Sequence, residues 1–399
     1  MDPVAAQYEA YPYPERDPSE ETRRLLTGTP SDPLEIDHFL FRGRRDWRRP
    51  FRALVAGGGT GDGLVMLAQR LADARCPAEI VYLDLSRASR AIAERRIAAR
   101  GLEGVAFRTG DLREAPALGP FDYVDCCGVL HHLDDPDAGF RALAAALAPG
   151  GGMGAMVYAP LGRTGVYPLQ EALRALTAGV ADPAERVAIA RRTLAALPET
   201  NWFRRNDLVG DHLQSDAGLH DLLLNARDRP YAADEVTAAV ERAGLSFAGF
   251  VEPARYDPET WIGDLAAPLR DLPPAERAAL GERLAGGIKT HVFYCSKGPL
   301  RVAQPAPDAR PRLRGQQPGP MAAHVRAGKP VTVRRDGAKH RLALPASSAP
   351  ILRQLDGRAT LGEIAARLKL DWLAFSAAYA PVARALGGWG MLYYSERFE

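Results

Sequence analysis

The sequence is poor in cysteine, with Cys76, Cys126, Cys127 and Cys295 the four among 399 residues. Their spacing matches neither a disulfide framework nor a zinc-ligand set. That excludes a small stapled scaffold and a structural zinc module. Cys126 and Cys127 sit in an apolar strand-like run and read as reduced core thiols. A run of about 18 apolar residues, which a membrane-crossing helix needs, is also missing. The opening MDPVAAQYEAYPYPERDP has neither the basic n-region nor the apolar h-region of a secretory signal. These absences point to a cytoplasmic chain. Net charge is small as well, at +2 from 51 Lys/Arg and 49 Asp/Glu, but it is unevenly spread. Residues 301–350 carry ten basic and two acidic residues, while the first 300 residues are net −7. A basic arm on an acidic body suits an acidic partner, although a solvated linker is the plainer reading.

The length suggests two or three domains. Residues 1–48 are rich in Tyr, Pro and charge and read as an irregular or helical arm. Strands and helices then alternate. FRALVA (51–56), EIVYLDL (79–85), VAFRTG (105–110), FDYVDCC (121–127) and MGAMVY (153–158) read as strands. GDGLVMLAQRLADA (61–74) and SRASRAIAERRIAAR (86–100) read as helices, the second with Ser86 as N-cap. Asp135-Pro136 opens a further helix, which the glycines 150–152 close. Repeated βα units of this kind predict a doubly wound parallel sheet, an α/β Rossmann-like domain of seven strands over 49–298. Residues 161–228 read as a helical insertion, Asp182-Pro183 capping one of its helices. YAADEVTAAVERAG (231–244), LSFAGFVEP (245–253) and KTHVFYCS (289–296) resume the pattern as helix, strand and strand. Six prolines over 299–320 predict a linker. The remaining residues, 321–399, read as two strands, three helices and a strand, a small α+β domain of winged-helix order, with Thr360 and Glu363 as a capping box.

The sharpest local signal is Leu54-Val55-Ala56-Gly57-Gly58-Gly59-Thr60-Gly61-Asp62, which leaves a strand and opens a helix. A dinucleotide fingerprint requires glycine where Asp62 stands, and a P-loop requires a terminal Gly-Lys-Ser/Thr. What remains is glycine at Gly57, Gly59 and Gly61, suited to a ligand bearing carboxylate and ammonium rather than pyrophosphate. A tight structural turn would look the same in isolation. The context adds Asp84 at the end of the next strand, 25 residues past Gly59, where a carboxylate can accept ribose hydroxyls. It also adds Gly110-Asp111-Leu112 after the third strand, placed to receive an adenine amino group.

The order GGGTG, YLDLS, TGDL, FDYVDCCGVLHHLDDP and LAPGGGMGAMVY resembles the class I S-adenosylmethionine (SAM)-dependent methyltransferases over about 250 residues. QYEAYPYP resembles a Tyr-Pro motif that precedes some bacterial methyltransferase domains. The resemblance implies SAM as cofactor, held by Gly57, Gly59 and Gly61, with Asp84 on the ribose and Asp111 on the adenine. Leu85, Gly110, Leu112 and Cys127, beside these positions, join the expected cofactor lining. One departure stands out: the family usually has an acid, linked to the SAM amino group, where this chain has Val55. The resemblance then requires the anchor to come from elsewhere, Asp62 or a backbone carbonyl.

Methyl transfer needs alignment above all, and a base only where the nucleophile arrives protonated. His131 and His132 follow the fourth strand and are the candidate bases. Packing under the cofactor is the competing use of the same pair. A metal reading of His131, His132, Asp134 and Asp135 is set aside, since adjacent histidines diverge and Asp135 serves as a cap. For the acceptor, Tyr11, Tyr158, Arg163, Tyr167, Gln170 and Arg227 are the candidate contacts, with Tyr8 and Tyr13 as further aromatics for cation–π contact. The acceptor itself, a protein or a small molecule with an N or O nucleophile, is not identified. Residues 321–399 resemble small winged-helix modules that bind peptides or partners, PqqD-like domains among them. That likeness favours a protein partner, and the third helix there carries only Arg384, which disfavours DNA. The alternative to an enzyme is a SAM-binding regulatory or assembly protein without turnover.

Overall fold

Six Asp-Pro dipeptides punctuate the sequence, and each begins a helix in the computed structural model, which describes residues 2–396. Asp2, Asp17, Asp32, Asp135, Asp182 and Asp257 each accept a hydrogen bond from a backbone N–H of the first turn while proline occupies the first helical position. Three of these starts organise the N-terminal segment, which contains α1 (Pro3–Ala10), a 3-10 turn (Pro18–Thr22) and α2 (Pro33–Leu40). Of the two readings of this segment, irregular or helical, these elements make its ordered parts helical.

The sheet has seven strands: β1 (Phe51–Ala56), β2 (Ala78–Asp84), β3 (Val105–Thr109), β4 (Phe121–Cys127), β5 (Leu147–Tyr158), β6 (Ser246–Phe250) and β7 (Thr290–Ser296). Their order is β3-β2-β1-β4-β5-β7-β6. The first five are parallel, as the βα alternation requires, but β7 runs antiparallel to both β5 and β6. The sheet is thus mixed, a correction to the all-parallel expectation. The helix α3 (Asp62–Asp73) follows β1, and α4 (Arg87–Ala99) follows β2 with Ser86 accepting from the Ser89 N–H. A second correction concerns the glycines 150–152. They lie inside β5, where the register to β4 shifts between Phe121 and Tyr123, instead of closing a helix before the strand begins.

Both faces of the sheet are covered by apolar side chains. Leu54, Val81, Val124, Phe140 and Met153 lie on one side, with Val55, Leu64, Tyr82, Tyr123 and Tyr294 on the other. Helices Val166–Leu176, Pro183–Ala196 and Asp216–Leu223 form a separate apolar cluster over the strand ends, in the region expected to be an insertion.

Beyond residue 300, the proline-rich stretch contains β8 (Pro311–Leu313), and the helix Pro318–Arg326 begins within it. The hairpin β9 (Val331–Arg335) and β10 (Ala338–Leu342) comes next. The helices Ala349–Leu352, Leu361–Arg367 and Trp372–Gly388 then lead to β11 (Leu392–Tyr394), which pairs with β8. Two strands, three helices and a strand are present, with β8 and one helix added ahead of them. Phe375 and Tyr379 of the longest helix are buried in this region's core. The region docks on α2. Arg314 and the Tyr393 hydroxyl both reach Glu35, and the Ser395 hydroxyl donates to Asp37. Among the described residues no helix is long and apolar enough to cross a membrane.

Candidate active site

A parallel sheet opens a crevice where neighbouring strands send their crossovers to opposite faces, here between β1 and β4. The cavity at that edge is floored by the glycine loop. Gly57 sits at φ +70°, and a Cβ there would meet Val129 at 2.4 Å, so the chain can turn at this point only without a side chain. Gly61, at φ +99°, is the residue from which α3 starts. Asp84 braces the loop: its two oxygens accept the Gly59 and Ser86 backbone N–H groups, each at 2.8 Å. Burial pushes its carboxyl above the usual value. Each oxygen keeps a second lone pair for a ligand.

Most of the residues expected at a cofactor line this cavity: Gly57, Gly59, Asp62, Asp84, Leu85, Gly110, Asp111, Leu112 and Cys127. Gly61 does not line it and acts through the helix start. Cys127 faces the cavity and is exposed, unlike buried Cys126, which corrects the reading of both as core thiols. Asp62 is already engaged, its carboxylate held by Arg16 at 2.6 Å and Arg96 at 2.7 Å. Asp111 accepts from the Arg113 backbone N–H at 2.8 Å and pairs with the Arg113 guanidinium, which holds its carboxyl below the usual range.

The roof comes from distant parts of the chain. Tyr8 and Tyr13 of the N-terminal segment line the cavity with Tyr158, His132, Asp221 and Arg227. The Tyr8 hydroxyl donates to one oxygen of Asp221 at 2.7 Å and the Tyr158 hydroxyl to the other at 3.1 Å. Burial pushes the Asp221 carboxyl above its usual value.

The two histidines separate. His132 lines the cavity, and its Nδ1 lies 2.6 Å from the Arg227 carbonyl oxygen. That oxygen can only accept, so in the neutral ring Nδ1 carries the hydrogen and Nε2 keeps its lone pair. His131 does not line the cavity. It is fully buried against Tyr158, ring centroids 4.0 Å apart, and neither ring nitrogen has a hydrogen-bond partner. Burial, with His132 and Arg163 beside it, drives its basicity well below the ordinary range. A proton-accepting role for His131 finds no support in this geometry.

The expected acceptor contacts divide in the same way. Tyr158 and Arg227 line the cavity; Arg227 also pairs with Asp2 at 2.8 Å. Arg163, Tyr167 and Gln170 sit one layer behind. Arg163 stacks its guanidinium 3.7 Å from the Tyr158 ring centroid, pairs with Asp228 at 3.1 Å and donates to the Tyr167 hydroxyl at 3.0 Å. Gln170 donates to Asp228 at 2.9 Å. Arg163 backs Tyr158, and Tyr167, Gln170 and Asp228 form the layer around Arg163 rather than line the cavity. Tyr11 stacks on His220 at 5.2 Å, away from the cavity. His131, His132 and Asp228 bring ligand-type atoms within 4.8 Å of one another, but the Arg163 guanidinium already neutralises Asp228 there.

Three carboxylates of the cavity, Asp2, Asp125 and Asp221, escape the sequence reading. Asp221 lies in an unremarkable helical stretch with no motif around it. Asp125 had a signal: it is an acid between apolar Val124 and Cys126 in the buried part of β4, where proteins seldom keep one without a use.

Comparison with known proteins gives three findings. Residues 54–153 match the family described as methyltransferase domain. The chain is 33% identical over 312 residues to the uncharacterized protein syc1184_c of Synechococcus sp., covering 74% of this chain and 72% of that one. In fold it is similar to PKMT2 from Rickettsia typhi, with a TM-score of 0.58 at 15% identity, over 97% of this chain and 76% of that one.

Proposed function

We propose, from the methyltransferase domain matched over residues 54–153, that this chain is a class I SAM-dependent methyltransferase that methylates an amine nitrogen of a protein or small-molecule acceptor held between His132 and Asp221. The cavity suits the cofactor. Apolar Leu85, Leu112, Val129 and Leu133 line it together with the Asp84 and Asp111 carboxylates and the glycine loop. The Rickettsia typhi protein of the same fold has been solved in complex with AdoHcy. When bound, SAM supplies a methyl carbon already activated by its sulfonium, so the protein need not generate the electrophile.

What carries the acceptor reading is the side of the cavity facing the glycine loop. Tyr8, Tyr13, Tyr158 and Asp221 offer aromatic faces and a buried carboxylate to one space. Aromatic rings and a carboxylate are what an amine or ammonium group seeks. An acceptor carboxylate or phenolate would meet repulsion from Asp221. A protonated amine has to shed a proton to expose its lone pair, and the free Nε2 of His132 is placed to take it. Tyr158 is backed by the Arg163 guanidinium, which Tyr167 and Asp228 hold in turn, so the acceptor wall is ordered before anything binds.

The test is AdoHcy production from SAM with a lysine-containing peptide, spermidine, a phenol and a hydroxy acid offered in parallel. Turnover with the amines alone is the expected result. Turnover restricted to the oxygen acceptors contradicts the amine assignment. AdoHcy binding without turnover on any acceptor moves the chain to the non-catalytic reading.

A further inference from the structure

Six carboxylates besides Asp125 line the cavity, and each is already answered. Asp62 has Arg16 and Arg96, Asp111 and Asp134 share Arg113, and Asp2 has Arg227. Asp84 has two backbone N–H groups, and Asp221 has two tyrosine hydroxyls.

Asp125 differs. It belongs to β4, is 1% exposed, and lines the cavity beside the glycine loop. Its one hydrogen bond comes from the Ser31 hydroxyl, which donates to Oδ2 at 2.5 Å. No arginine, lysine or backbone N–H among the described residues reaches it, and burial pushes its carboxyl up to about 7. A buried carboxylate without a cation is costly, and a chain that keeps one leaves a place for a positive charge. Its position narrows the choice of charge. The Cα of Asp125 is the register partner of Val55 on the adjacent parallel strand. In a parallel pair, register neighbours project to the same face of the sheet. The acid absent from β1 thus has a counterpart one strand over, at the same level of the sheet edge. Gly63, in the first turn of α3, leaves the room: a Cβ there would meet the Ser31 hydroxyl at 2.6 Å and Asp125 Oδ2 at 3.5 Å.

We propose that Asp125 binds the α-ammonium of the cofactor's amino-acid end, taking from β4 the part that a β1 acid at Val55 would otherwise play. The inference rests on the SAM reading above and specifies how this chain recognises that end of the molecule. Asp62 is not the anchor, because two arginines hold it.

The test compares three ligands on the full chain by titration calorimetry: SAM, AdoHcy and 5′-methylthioadenosine, which shares the adenosine and sulfur but has no amino-acid end. Wild-type protein binding none of them would refute the cofactor reading itself. With wild-type binding in hand, Asp125→Asn is expected to weaken SAM and AdoHcy about 10- to 100-fold, as for loss of a charged hydrogen bond. 5′-Methylthioadenosine affinity should stay within about two-fold. Unchanged AdoHcy affinity, or an equal loss for all three ligands, overturns the proposal. Ser31→Ala separates a structural role, since it removes the partner but keeps the charge. It is expected to leave AdoHcy affinity within a few-fold of wild type, and a loss as large as that of Asp125→Asn would mean that the Ser31–Asp125 contact matters as packing.

Discussion

The floor and the roof of the cavity are built on opposite plans. The floor is local: Gly57, Gly59 and Asp84 come from consecutive elements, and their key contacts run through backbone N–H groups. The roof is remote: Tyr8 meets Asp221 across 213 positions of sequence, and Tyr158 meets the same carboxylate from β5. A cofactor common to many enzymes can be held by a short backbone-dominated motif. An acceptor particular to one enzyme needs side chains gathered from several places. The contrast predicts that damage to the two halves separates into binding and turnover.

The largest separation is expected at His132. His132→Gln keeps a polar side chain at the position but removes the base, and kcat should fall about 10²- to 10⁴-fold. AdoHcy affinity should change little. Steady-state rates alongside calorimetry check this, and a kcat within three-fold of wild type would remove His132 from the chemistry. The reverse pattern is expected at Asp84. Asp84→Ala strips the carboxylate that holds the Gly59 and Ser86 N–H groups, so AdoHcy binding should weaken about 100-fold or more. The far-ultraviolet circular dichroism spectrum should be unchanged.

Tyr158→Phe is a finer test of the roof. It removes one of the two hydroxyls that answer Asp221 and leaves the ring over which Arg163 stacks. The expected loss is about ten-fold in kcat, from one hydrogen bond to a charged group, with AdoHcy affinity within two-fold. Equal effects on both parameters would break the division between the halves.

The smallest effect concerns the joint that carries the roof's N-terminal segment. Asp37 of α2 accepts from the Ser395 hydroxyl and the Arg45 N–H, and burial pushes its carboxyl up to about 7. The unfolded value is about 4, so between those two pH values the fold keeps a proton that the unfolded chain has lost. Stability should therefore fall as pH rises through that window, by at most about 1.4 kcal/mol per pH unit from this group. Asp37→Asn should flatten the slope. Chemical denaturation between pH 5 and pH 8 measures it, and a slope unchanged in the variant would assign it to other groups.

The same contrast explains what the sequence disclosed. Motif spacing located the strand ends, so Gly57, Asp84 and Asp111 were legible as one constellation before any fold was known. The five parallel strands followed from the βα alternation, but the reversal of β7 did not, since a strand's direction leaves no mark in its composition. In the roof, periodicity could report helices but not which of their faces converge. Arg163, Tyr167 and Gln170 were recognisable as a group, yet they sit behind the cavity wall, where Asp228 engages Arg163 and Gln170 and Arg163 engages Tyr167. Tyr11 looked equivalent to Tyr8 and Tyr13, and only packing against His220 distinguishes it. Asp221 carried no signal at all, while Asp125 carried one in its setting: an acid between Val124 and Cys126 in the buried part of FDYVDCC.

The most direct test of the two-half account is titration calorimetry with AdoHcy on wild-type, Asp84→Ala and His132→Gln proteins side by side. The account predicts one saturable site in the wild type, the same site at similar affinity in His132→Gln, and none within the accessible range in Asp84→Ala. Undiminished binding to Asp84→Ala, or equal loss in both variants, would contradict it.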